Sequence, residues 1–193
     1  TSNLSCEKNA LLEQSIKNFC TPVYARTKRN SSAYAATAAY VTGNLRRLVE
    51  LYCTTENDMQ TARLIRDDID NALRRYHQYC IKGRIGAHYV EIGLEGNGIF
   101  EHMIPTSTVR DLLIAGVLTP EQACNVPTCR LSRERDDLLR AKGWVSRTPD
   151  VYRFWKRYEY CFDTQGVFST WDGAPVDTAM TLLDHFENIA ELQ

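Results

Sequence analysis

At Gly86 the hydrophobic period of the chain changes from that of a helix to that of a strand, and this change limits the folds open to it. Upstream, Leu11, Leu12, Ile16 and Phe19 recur at helical spacing, and Thr21-Pro22 ends the run. A polar, basic loop from Arg26 to Ser32 follows, then an Ala-rich helix from about Ala33 to Cys53 with Gly43 as a weak point. Asn57, with Gln60 three residues on, predicts the start of a further helix. Its stripe is Ala62, Ile65, Ile69, Leu73, Tyr76 and Cys80, and Gly83 closes it. Arg63, Arg66, Asp67, Asp70 and Arg74 are expected on its solvated side.

Beyond Gly86, His88 to Leu94 alternates with a period of two, Glu95-Gly96-Asn97-Gly98 is a turn, and Gly98 to Pro105 is a second extended run. Thr108 predicts a short helix to Gly116. Thr119-Pro120-Glu121-Gln122 is a helix start with a Thr cap, Pro in the first position and Gln in the third. Pro127 to Leu131 is extended, and Ser132 caps a helix from Arg133 to about Lys142, ended by Gly143. Asp150 to Trp171 is dense in aromatics, with Arg153, Lys156 and Arg157 between them, and helix and strand stay equally open there. A last helix is expected from about Val176 to Leu192. The fold class expected is α+β and mostly helical. It divides into a helical region (1–85), a mixed strand-and-helix module (86–145), and an aromatic-rich segment with a closing helix (146–193).

Composition excludes some function classes. No apolar run approaches the roughly 20 residues of a membrane span, so no membrane role is expected. Thr1 to Ser5 shows no secretory signal, and the seven cysteines are odd in number, scattered and free of any C-x-x-C pair. Reduced thiols in a cytoplasmic protein are the expectation. Cys124 and Cys129 are the one close pair, and a zinc there would need two further ligands that the sequence does not point to. With 23 basic and 24 acidic side chains the net charge is −1, so any nucleic-acid contact must come from local patches.

The chemistry concentrates in the strand–loop–strand–helix order between Gly98 and Gly143. Hydrolysis of a phosphodiester needs a base to activate water, a cation to neutralise developing charge, and ligands to hold the cation. His102 suits the base near neutral pH, and hard carboxylate oxygens suit magnesium. Glu101 and His102 are adjacent on a strand, so for both to serve one site the strand must twist or end there. On the following helix, at 100° per residue, Leu138 and Leu139 set the packed face, and Asp136 borders it while Asp137 points away. Arg133 and Arg140 lie one turn either side of Asp136, placed for phosphate, and Arg130, Lys28 and Arg29 are further candidate nucleic-acid contacts.

Phe100-Glu101-His102-Met103-Ile104-Pro105 resembles the acidic-His-apolar-apolar-Pro opening of HNH endonucleases, and Leu131-Ser132-Arg133-Glu134-Arg135-Asp136 resembles that family's closing segment. The resemblance covers about 45 of the 193 residues and implies an embedded ββα-metal (HNH) module. It implies a DNA endonuclease using one divalent cation, magnesium with manganese as a substitute, and leaving 5′-phosphate and 3′-hydroxyl ends. Carried over, Glu101 is the first metal ligand, His102 the general base, Asp136 the last ligand, and Asn125 the Asn that steadies the loop. Asp stands in the last position where His or Asn is commoner, and the family's zinc-holding cysteine pairs are missing. A double-strand break would take a homodimer or two nicks.

Plainer readings of the same residues exist. His102 can be a half-buried strand-end histidine, and Glu101 a surface carboxylate. Asp136 can simply oppose the helix dipole, and Asn125 can be a turn residue. His88 can approach the same site, but a structural role is expected for it, and His77 and His185 are expected as surface or core filler. The aromatic segment is either a base-stacking surface, with Arg153, Lys156 and Arg157 contacting phosphate, or a core edge. The competing function is a non-catalytic module that binds nucleic acid or protein.

Overall fold

A computed structural model describes residues 31–55, 58–82 and 86–190. The first predicted helix, the basic loop with Lys28 and Arg29, Asn57 and Gly83 lie outside the described residues. Within them the helices are α1 (Ser31–Thr54), α2 (Met59–Tyr76), α3 (Thr106–Ile114), α4 (Pro120–Cys124), α5 (Arg133–Ala141), α6 (Lys156–Glu159) and α7 (Leu182–Ala190). The strands are β1 (Tyr89–Glu91), β2 (Ile99–His102), β3 (Thr128–Leu131) and β4 (Phe168–Thr170). The chain is therefore α+β, as its two periodicities predict.

Helix α2 starts at Asp58, whose carboxylate accepts from the amides of Gln60 and Thr61 at 3.0 and 3.1 Å. Its buried stripe is Ile65, Ile69, Leu73 and Tyr76, and the chain runs on as a π-helical turn from His77 to Lys82. Asp70 departs from the expected solvated face. It is buried against Arg110 of α3, Oδ2 to Nη1 at 2.6 Å. Arg46 of α1 pairs with Glu121 of α4, so ionic contacts join the helical region to the rest. One cluster of buried apolar side chains runs from Ala38 to Phe186, so all three predicted stretches share a core. No helix among the described residues is long and apolar enough to cross a membrane.

The four strands are ordered β2-β3-β1-β4. The alternating runs before and after the Glu95–Gly98 turn do not pair with each other as a hairpin. Strand β3 lies between them, antiparallel to β2 and parallel to β1. Among the described residues strand β2 is thus a sheet edge. Helix α3 begins two residues before the predicted Thr108 cap, because the Pro105 carbonyl already accepts from the amides of Thr108 and Val109. Thr119 and Gln122 form the expected reciprocal cap of α4, and Ser132 caps α5. Glu91 of β1 anchors the same corner, accepting from the Ser132 amide at 2.6 Å and the Arg135 guanidinium at 2.9 Å. The aromatic segment is core: Phe154, Trp155, Tyr158 and Phe168 are sealed from solvent.

Gly98 launches β2 with φ +56°, and a Cβ there would sit 2.9 Å from the Leu131 carbonyl oxygen. Both the left-handed backbone and the close approach demand glycine. Gly98→Ala is expected to cost about 1–3 kcal/mol in chemical denaturation. A cost below about 0.5 kcal/mol would mean that the turn relaxes freely.

Candidate active site

The pairing of β2 with β3 stays regular to its last residue: Glu101 lies opposite Cys129, and His102 opposite Thr128. Directly paired residues share a face and neighbours along a strand alternate, so Glu101 and His102 project to opposite faces of the sheet. The expected twist that would turn both to one side does not occur. Each residue has its own surroundings.

On Glu101's face the dominant neighbour is Arg157, a fully buried guanidinium. Its Nη2 bonds Glu101 Oε1 at 2.5 Å and the Val145 carbonyl at 2.8 Å. Its Nε bonds the Trp144 carbonyl at 2.6 Å, and Nη1 bonds the carbonyls of His102 and Met103 at 2.6 and 3.2 Å. Helix α5 brings Asp136 to the same place, close enough that its charge, with that of Arg140, acts on Glu101. Burial pushes the Glu101 carboxyl above the usual carboxylate range, and Arg157 pulls it part of the way back. Asp136 is 2% exposed. Its Oδ2 accepts from Arg140 Nε at 2.7 Å, while Oδ1 is buried without a partner. The helix geometry predicted Asp136 rather than the exposed Asp137, and so it is, although Leu138 lies outward and Leu139 alone packs inward.

On His102's face the ring meets Phe100 edge-on at 5.5 Å and His77 at 4.9 Å between centroids. Lys82 lies over Phe100 at 5.8 Å. Burial, and then the nearby charges of Arg74 and Arg157, lower the His102 pKa to about 4, so the ring is neutral at pH 7. Its Nε2 is sealed from solvent and has no partner among the described residues.

Asn125 ends α4. Its Nδ2 donates to the Glu121 carbonyl at 2.8 Å, and its own carbonyl accepts from His185 Nε2 at 2.8 Å. These bonds steady the turn into β3 and do not run to His102. Arg130 is a brace, with Nε on the Gly86 carbonyl at 2.6 Å and Nη1 on that of Asn97. Arg133 is exposed, and Arg140 keeps more than half of its side chain in solvent. Cys124 and Cys129 are buried thiols whose pKa values burial pushes up. Among the described residues no three His, Cys, Asp or Glu side chains gather closely enough to hold a metal ion by themselves.

Sequence reasoning offered Arg157 only as a phosphate contact within a base-stacking segment, and His77 only as surface or core filler. Arg157 sits between Trp155 and Tyr158 in an aromatic run, where a basic residue can be drawn into the core if backbone carbonyls receive it. His77 lies four residues after Leu73, on the margin of the α2 stripe. Comparison with known protein families, curated proteins and solved structures found no match to this chain, so a functional reading rests on its own geometry and chemistry.

Proposed function

We propose that the chain is a metal-dependent endonuclease of the HNH type, hydrolysing DNA phosphodiester bonds. The observation that carries the reading is the edge of the sheet. Strand β2 and, beyond helices α3 and α4, its antiparallel partner β3 and helix α5 come in the ββα order, and α5 delivers Asp136 to Glu101. Because β2 is an edge strand, a phosphodiester lying along that edge can be reached by Glu101 from one face and by His102 from the other.

The donor set fits a hydrated magnesium ion. Glu101 and Asp136 are hard oxygen ligands, and the buried, unpartnered Oδ1 of Asp136 lacks a cation or donor. Magnesium commonly takes one or two carboxylates and completes its shell with water and substrate phosphate, so a third protein ligand is not required. A bound ion would supply charge neutralisation at the phosphate. Arg140 can swing into solvent to release Asp136, whereas Arg157 stays and holds Glu101 in place.

The neutral His102 ring takes a proton from water as the water oxygen bonds to phosphorus. The bond from phosphorus to the 3′ oxygen breaks, leaving a 5′-phosphate and a 3′ oxygen that is protonated from solvent. Arg74 and Lys82 beside His102, with the exposed Arg133, are placed to contact the DNA backbone. One such site cuts one strand, so a double-strand break requires a homodimer or two nicks. The alternative, a non-catalytic module that binds nucleic acid or protein, is favoured by one observation: Glu101 is already committed to Arg157.

Conversion of supercoiled plasmid to nicked and linear forms tests the proposal, with magnesium, manganese or chelator and with His102→Ala alongside. Loss of a general base is expected to lower the rate about 10²–10⁴-fold. Equal cutting by both proteins rejects His102 as the base. No cutting on any DNA or RNA leaves the binding-module reading.

A further inference from the structure

We infer that His77, on the π-helical turn outside the ββα frame, is the positioning residue of His102 and fixes which of its ring nitrogens carries the proton. The inference rests on the reading of His102 as the base, but its first test does not depend on cutting.

Hydrogen-bond valences link the two rings. His77 Nε2 lies 3.1 Å from the Cys124 carbonyl oxygen. A carbonyl cannot donate, so Nε2 carries the proton and Nδ1 of the neutral ring is an acceptor. That Nδ1 is buried and unpartnered. The His102 ring packs 4.9 Å away, tilted by 57°, and its own Nε2 is the other sealed, unpartnered imidazole nitrogen among the described residues. Two orphan nitrogens on touching rings, one obliged to accept, satisfy each other if His102 carries its proton on Nε2. A small ring rotation, or one buried water between them, completes the bond.

Other neighbours do not fill the role. His88, close enough for His77 to act on it electrostatically, has its Nδ1 occupied by the Thr128 amide at 3.2 Å and the Thr128 hydroxyl at 2.9 Å. Arg74 is bonded to the Thr106 hydroxyl at 3.3 Å. With the proton on Nε2, the lone pair of His102 is on Nδ1, the nitrogen not sealed against His77. The Cys124 carbonyl thus sets the tautomer of His77, and His77 sets that of His102. This arrangement gives a reason for the helical region to be fused to the module: without the π turn, the ring next to Glu101 would sample both tautomers.

Long-range proton–nitrogen NMR on uniformly ¹⁵N-labelled protein at pH 7 reads each tautomer directly. The expected result is an Nε2–H tautomer for both His77 and His102. In His77→Phe, which keeps an aromatic ring but removes the acceptor, His102 is expected to become a mixture of tautomers. In His77→Gln, whose side-chain carbonyl can accept, the Nε2–H form is expected to return. In plasmid cutting, His77→Phe is expected to lower the rate roughly 10–100-fold with little change in DNA affinity, and His77→Gln to recover part of it. An Nδ1–H tautomer of His102 in the native chain overturns the inference, as does a pure Nε2–H form in a folded His77→Phe. Should His77→Phe fail to fold, the native spectrum and His77→Gln still decide it. Should the native chain cut nothing, the nuclease reading falls, while the tautomer of His102 still answers the question about His77.

Discussion

Arg157→Ala is expected to destabilise the fold by about 3–5 kcal/mol, which is most of the stability of an ordinary domain. The guanidinium is fully buried and makes five bonds. Four reach backbone carbonyls in two separate segments, His102–Met103 at the end of β2 and Trp144–Val145 after α5, and the fifth reaches Glu101. Truncation leaves all five acceptors in a space that water enters poorly, and it leaves the Glu101 carboxylate unpaired beside Asp136. Lysine does not repair this, since one ammonium has three donors and no planar fork, so Arg157→Lys is expected to recover less than half of the loss. Glu101→Gln keeps an acceptor for Nη2 and is expected to cost only about 1–2 kcal/mol. Guanidinium denaturation at pH 7 measures all three. A cost below about 1 kcal/mol for Arg157→Ala would mean that the five contacts contribute little to the fold.

This arginine shows how far the sequence could be read. The two periodicities, the caps at Thr119 and Ser132 and the choice of Asp136 over Asp137 were legible because each depends on neighbours within one turn or one strand. Asp136 stands two residues before Leu138 and three before Leu139, and geometry on one helix is enough to orient it. What failed depends on partners far along the chain. Asp70 looked solvated because its partner Arg110 lies 40 residues away. The turn signal at Glu95–Gly98 suggests that the runs on either side of it pair with each other, yet the parallel pairing of β1 with β3 is a long-range choice that no turn encodes.

The candidate site follows the same division. Glu101 and Asp136 come together, as the strand–loop–strand–helix order suggests. Strand alternation alone predicts that Glu101 and His102 diverge. Strand β2 does end at His102, but the twist that would turn both side chains to one site is absent, because the ladder stays regular to the His102–Thr128 pair. The aromatic segment could not be divided between stacking surface and core from composition. Tyr158 and Phe168 became core because β4 pairs with β1, while Tyr160 stays 57% exposed.

Acid is expected to unfold the chain between about pH 6 and pH 5, before most carboxylates titrate. All four histidines of the sequence are held neutral by burial. They lie in one row, with His102 against His77 at 4.9 Å, the charge on His77 acting on His88, and His88 against His185 at 4.9 Å. For His102 and His185 the pKa falls from 6.5 to about 4, and for His77 and His88 it falls well below 6.5. A folded pKa below the unfolded one means that the unfolded chain binds protons first. Stability is therefore complete above pH 6.5 and is lost as the pH falls toward the folded values. At pH 5.5 each histidine held neutral in this way costs on the order of 1 kcal/mol, and the row together several kcal/mol, comparable with the whole stability of a marginal domain. Glu101 and Asp70 work in the opposite sense, since burial raises both and lets the folded chain take up their protons first, but that return begins only near the carboxylate range. Circular dichroism and tryptophan fluorescence from pH 8 to pH 4 at low ionic strength follow the transition. His185→Asn, which removes one titrating group from the row, is expected to make the acid limb shallower by about one proton. A native signal that persists at pH 4.5 would require at least two of these rings to take up protons in the folded state, and the row would then be open to water.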